Sequence, residues 1–212
     1  MIAASIYAIG EKTQWGWVKD TFIYLGTNKL HMEQNDERLD LKIVGSLLDY
    51  EGHIRELSRR VKLNHMAVKR TTDKMLKKNI LDFRFIGKNK VFVLKKSLES
   101  RNKILEYEIY KQIKIIDKYP LLRSLFEKII SNKKITLCLL FGSYAKGLAH
   151  ERSDIDIYFD SEDINVKKEL ESLNSKISVK MGKFDKDSVL IKEMIKNHVI
   201  IKGFEEYYGR IS

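Results

Sequence analysis

The chain has 212 residues, more than the roughly 100–150 typical of one domain, so two compact domains are expected. It is 43% hydrophobic and 33% charged, and no apolar run approaches the roughly 20 residues that cross a bilayer, which excludes a membrane-spanning protein. The first thirty residues do not follow the order of a secretory signal, so a cytoplasmic location is expected. One cysteine, Cys138, excludes an internal disulfide or a zinc cage, and its apolar neighbours make it a small buried hydrophobe.

The formal charge of +11 is confined to one stretch. Between His53 and Lys96 stand fourteen lysines and arginines against Glu56, Asp73 and Asp82, and the rest of the chain balances at 26 basic and 26 acidic residues. A surplus so one-sided on a short segment is the electrostatic footprint of a polyanion partner, duplex DNA first among them.

Residues 1–31 carry both tryptophans and no sustained periodicity. They are either an extension upstream of a start at Met32 or a short aromatic hairpin or tail that packs on a domain or partner. From Asp40, a plausible N-cap, Ile43, Val44, Leu47 and Leu48 share one helical face. A short helix follows with Ile54, Leu57 and Val61 inward. After a tight turn, Asn64 caps a second helix that buries Ala67, Val68, Met75 and Leu76. LDFRFIGKNKVFVL then reads as two strands joined around Gly87, Lys88 and Asn89.

Three helices and a basic hairpin make a winged helix-turn-helix, and residues 40–96 resemble that DNA-binding family through Glu56, Leu57, Ser58, Val61, Leu63, Asn64 and Val68. Many such domains have glycine where this turn has Lys62. The resemblance implies a second helix lying in the major groove and a wing beside the backbone. The residues it points to are Asn64, His65, Met66, Lys69, Arg70 and Lys74 on the helix, and Lys88, Asn89 and Lys90 on the wing. The domain is expected over residues 32–98.

Residues 99–120 form a connecting helix, with Ile104, Leu105, Ile109, Ile113 and Ile116 at helical spacings and Pro120 at its end. That stripe is expected to pack within the chain. A helix pair spacing two DNA-binding heads is the alternative, and a homodimer is a further expected partner.

In residues 121–212 the apolar run ITLCLLF reads as a buried strand that ends at Gly142-Ser143. Ten residues lie between Ser143 and Asp154-Ile155-Asp156, where two carboxylates alternate with apolar residues on one strand face. Adjacent carboxylates repel unless a hard cation such as Mg²⁺ stands between them. Gly142 lets the backbone approach, Ser143 offers a hydroxyl and an N–H to phosphate, a helix beginning there would add its positive end, and Lys146 stands close by. These are the parts of phosphoryl or nucleotidyl transfer.

LLFGSYAKGLAHERSDIDIYFD strongly resembles the minimal nucleotidyltransferase family of the DNA polymerase β superfamily, through Gly142, Ser143, Ala145, Gly147, Asp154 and Asp156. The resemblance implies an α+β protein whose second domain has a mixed sheet flanked by helices. It implies binding of an NTP, ATP first, with Mg²⁺ or Mn²⁺, and transfer of a nucleoside monophosphate to a hydroxyl on a partner protein or RNA. Active members carry a third carboxylate on a later strand. Here Val179-Lys180-Met181 puts lysine in that place, with Asp185 or Asp187 as substitutes in another register. The alternative function is a regulator that senses nucleotide without turnover.

Overall fold

The structure, a computed structural model, describes residues 38–211; both readings of residues 1–31, and a start at Met32, fall outside the described residues. No described helix is long and apolar enough to cross a membrane. From Arg38 onward the chain forms one compact unit, built on separate hydrophobic cores.

The N-terminal lobe begins with α1 (Leu39–Asp49), which buries Leu39, Ile43, Val44 and Leu47. Asp40 is not its cap. Arg38 holds that position, and Asp40 sits in the first turn, where its carboxylate accepts from Lys103 Nζ at 2.7 Å. A two-residue strand β1 (Gly52–His53) leads into α2 (Ile54–Val61), capped by the His53 ring on Glu56 N–H. Lys62 turns the chain with φ 56° and ψ 41°, the left-handed conformation that glycine fills more readily. Helix α3 (His65–Lys77) starts where Asn64 Oδ1 accepts from Met66 N–H at 2.7 Å, and it buries Val68, Thr72 and Met75.

Strands β2 (Leu81–Ile86) and β3 (Asn89–Leu94) pair antiparallel, with β1 on the far side of β3. Asn89 opens β3, so only Gly87 and Lys88 form the turn. Gly87 at φ 58° supplies the positive φ that two-residue hairpins need. Helices α1–α3 packed on this three-stranded sheet are a winged helix-turn-helix.

The long α4 (Leu98–Lys118) belongs to both lobes. Ile104 and Tyr107 pack on the first core, and Gly45 of α1 lies so close under the Tyr107 ring that any Cβ there would overlap it. Ile115 and Ile116 pack into the second core. Between them, Gln112 Nε2 donates to the Ile200 and Ile201 carbonyls, Lys111 Nζ donates to the His198 carbonyl at 3.2 Å, and buried Glu108 accepts from Tyr208 at 2.8 Å. The expected apolar stripe is therefore split: Ile109 and Ile113 remain 48% and 46% exposed.

The C-terminal lobe runs α5 (Leu122–Ser131), β4 (Cys138–Phe141), α6 (Gly142–Ala145), β5 (Ile155–Phe159), α7 (Ile164–Glu171), β6 (Ile177–Met181), α8 (Val189–Lys196), β7 (Val199–Lys202) and α9 (Phe204–Ile211). Its sheet has the order β6-β5-β4-β7, parallel only between β5 and β6, and is thus mixed. Alternation sends Cys138, Leu140, Ile155, Ile157 and Val179 into one core with α5 and α7. Leu139, Tyr158 and Ile200 go to the other, with α8 and α9. Cys138 is fully buried, and burial pushes its thiol pKa far up, as expected for an inert hydrophobe.

Candidate functional site

Antiparallel pairing of β4 with β5 sets Phe141 opposite Asp156, which brings the Gly142 turn over the carboxylate. Gly142 has φ 69°, and a Cβ added to it would collide with Asp156 Oδ2. Glycine is needed here twice, for the backbone conformation and for the contact. Ser143 follows in α6, which is a single turn of four residues rather than a full helix. Asp154 stands exposed one residue before β5, and Asp156 is half-buried within it. Burial, and then the Asp154 charge, hold the Asp156 carboxyl above its usual range, while Lys180 pulls it down. A cation between the two acids would relieve that repulsion.

The parallel register of β5 with β6 decides what lies beside the acids. Ser178 pairs with Asp156, and Lys180 pairs with Tyr158 one pleat further along. Val179 is buried on the opposite face, so Ser178 and Lys180 both lie on the Asp156 side. The position laterally adjacent to Asp156 therefore holds serine. Lys180, which Val179-Lys180-Met181 had placed on the acids' side, does lie on that face one pleat along, and its charge reaches Asp156. Among the described residues no group of three His, Cys, Asp or Glu side chains could hold a metal ion.

The other acids near this corner have different duties. Asp160, on the same face, is ion-paired with Arg210 and accepts from Phe184 N–H at 3.1 Å. Asp185 caps Asp187 N–H, and Asp187 faces Lys192 at 3.8 Å. Lys146 is exposed, with Nζ 3.9 Å from Glu193 on α8. The sequence reading missed Ser178, because pairing between distant strands leaves no trace in local periodicity.

In the other lobe, His65, Met66, Lys69, Arg70 and Lys74 are exposed on one side of α3, and Lys88 and Asn89 are exposed on the hairpin. Asn64 spends its side-chain oxygen on the cap. Lys90 is half-buried, with Nζ 3.7 Å from the Phe83 ring centre.

With this geometry in view, residues 124–206 match the family model described as polymerase beta, nucleotidyltransferase. That segment is a nucleotidyltransferase domain of the polymerase β type. It contains the Gly142 turn, both aspartates and the β5/β6 pair. Among solved structures, the transcriptional repressor BigR from Xylella fastidiosa is similar at 15% identity, over 39% of this chain and 84% of that one, with a TM-score of 0.32. HlyU from Vibrio cholerae N16961 is similar at 19% identity, over 39% of this chain and 97% of that one, also with a TM-score of 0.32. No curated protein matches the chain.

Proposed function

We propose that this chain is a DNA-binding nucleotidyltransferase, whose polymerase β-type domain takes an NTP with a divalent cation and transfers a nucleoside monophosphate to a hydroxyl acceptor. The observation that carries the reading is the Gly142 turn closed onto Asp156 with Asp154 beside it. Asp154 and Asp156 would hold Mg²⁺ or Mn²⁺, which supplies charge neutralisation on the phosphates. The Gly142 and Ser143 backbone, the Ser143 hydroxyl and Lys146 would hold the phosphates. The acceptor oxygen bonds to the α-phosphorus as the bond to the leaving pyrophosphate breaks, and the hydroxyl proton departs to base or solvent. The acceptor class is a partner protein or an RNA end, with ATP as the first nucleotide to try.

A second reading, a nucleotide-sensing regulator with little or no turnover, is favoured by one specific observation. Ser178 stands beside Asp156 and Lys180 shares its face, so among the described residues no third carboxylate joins the pair to complete a metal site or to take the acceptor's proton. Incubation of the purified chain with NTPs labelled at the α-phosphate, Mn²⁺ or Mg²⁺ and cell lysate decides between them. Label carried onto an acceptor is expected of the transferase, whereas saturable metal-dependent binding with no transferred label would leave only the sensor.

DNA binding rests on the basic surplus between His53 and Lys96, and on its exposure along α3 and the hairpin. Duplex affinity is expected to fall steeply with salt through counterion release.

A further inference from the structure

The hairpin carries an apolar face longer than the core it covers. Cross-strand pairs on that face are Leu81 with Leu94, Phe83 with Phe92, and Phe85 with Lys90. At its base Leu81 and Phe92 are each 2% exposed and belong to the lobe's core, the side on which the helices pack. Further out the same face continues with Phe83 at 39% and Phe85 at 68% exposure. Their rings meet edge to face, with centroids 5.7 Å apart at 88°, and Lys90 Nζ lies over Phe83. Two phenylalanines held in a fixed geometry on a protruding strand leave a large apolar area in water, which in a monomer marks a contact surface.

Charge selects the occupant. Lys88 and Lys90 share this hairpin with a single acid, Asp82, while its third cation, Arg84, is ion-paired with Glu51. Nucleic acid presents both features together, phosphates for the cations and apolar sugar and base faces for the rings. We infer that Phe83 and Phe85 form an apolar wedge that seats in the minor groove of duplex DNA and opens a base step there, while Lys88 and Lys90 hold the flanking phosphates. The inference rests on the DNA-binding reading above and adds a contact that salt does not weaken.

The test uses the full-length chain and a labelled mixed-sequence duplex containing TA steps, with affinity measured across a salt series. Wild-type protein is expected to bind with a steep negative slope of log affinity against log salt. Phe85→Ala should lower affinity about 10- to 100-fold, the range found when one stacked aromatic is removed, with the slope unchanged and the thermal midpoint preserved. Lys88→Ala should instead flatten the slope by about one unit. Phe85→Leu, which keeps an apolar wedge, should recover most of the affinity. Unchanged duplex affinity in a Phe83→Ala, Phe85→Ala double variant would overturn the wedge while leaving DNA binding intact. Tighter binding to the single strand than to the duplex would overturn it too, as would Phe85→Ala acting only by dissociating a protein complex in sedimentation. Wild-type chain that binds no duplex at low salt would remove the DNA reading along with the wedge.

Discussion

In the N-terminal lobe fourteen basic residues against three acids are spread between His53 and Lys96, with many of them exposed on α3 and the hairpin. In the C-terminal lobe two acids occupy one corner, where a glycine turn closes on Asp156. Under the proposed function the first surface would work by the sum of many weakly placed charges, each screened and individually dispensable. The second would depend on a few atoms whose displacement by an ångström removes the function. Substitutions should therefore act by degrees in one lobe and nearly all-or-none in the other. Helix α4, packed in both cores, lets the two be compared in one chain.

The largest effect belongs to the junction. His198 hydrogen-bonds the Met194 and Ile195 carbonyls, and its own carbonyl takes Lys111 of α4. Burial and then the Lys111 charge depress its pKa from 6.5 to about 3. The folded state thus keeps His198 neutral where the unfolded chain would protonate it. Stability contributed above pH 6.5 is lost as pH falls towards about 3, by at most roughly 5 kcal/mol. His198→Gln keeps a donor and cannot take the charge, so its melting temperature should lose that pH dependence. Identical acid profiles for both proteins would show that the junction does not limit acid stability.

Next come the acids. Asp154→Asn and Asp156→Asn should each abolish metal-dependent nucleotide binding or transfer, by at least the roughly 100-fold seen when mere outer-shell partners of a metal are lost. Asp156→Asn should leave the thermal midpoint unchanged or higher at neutral pH, because the folded state disfavours the ionised carboxyl it removes. Retained metal-dependent binding in both variants, followed by calorimetry, would refute the site. Gly142→Ala tests the same corner through the backbone. It should cost about 1–3 kcal/mol for the left-handed conformation and should displace Asp156, so denaturation and nucleotide binding fall together. A loss of stability with full nucleotide binding would separate the turn from the site.

Most of this corner was legible before folding, because its parts lie close in sequence: glycine and serine at a strand end, ten residues, then alternating acids. The helix-turn-helix was legible for the same reason, down to Asn64 as a cap. What was not legible came from contacts distant in the chain. Ser178 beside Asp156 depends on the register of a parallel pair, and a shift of two residues keeps the face while changing the neighbour. The stripe on α4 shows a periodicity that fits one buried face, yet two lobes divide it and leave Ile109 and Ile113 in water. Asp40 looked like a cap, but its carboxylate is held by Lys103, sixty-three residues away.

The smallest expected effect is at Lys62, where the two kinds of design meet in one residue. Its φ of 56° ends α2, and the following Leu63 N–H returns to the Ser58 carbonyl at 3.1 Å. A non-glycine residue in this conformation costs about 1–2 kcal/mol, and glycine gives back about 0.5–1 of that through its greater freedom when unfolded. Lys62→Gly should therefore stabilise the chain by about 1 kcal/mol or less, read as a higher urea midpoint with an unchanged slope. The lysine also belongs to the basic surplus beside the turn. If it contributes one phosphate contact, the same variant should bind duplex DNA more weakly, with its salt slope flattened by about one unit. Higher stability with weaker DNA binding would explain why a strained lysine occupies a position suited to glycine: its charge offsets its conformation. Higher stability with unaltered DNA binding would sink that explanation and leave Lys62 as strain without a compensating role.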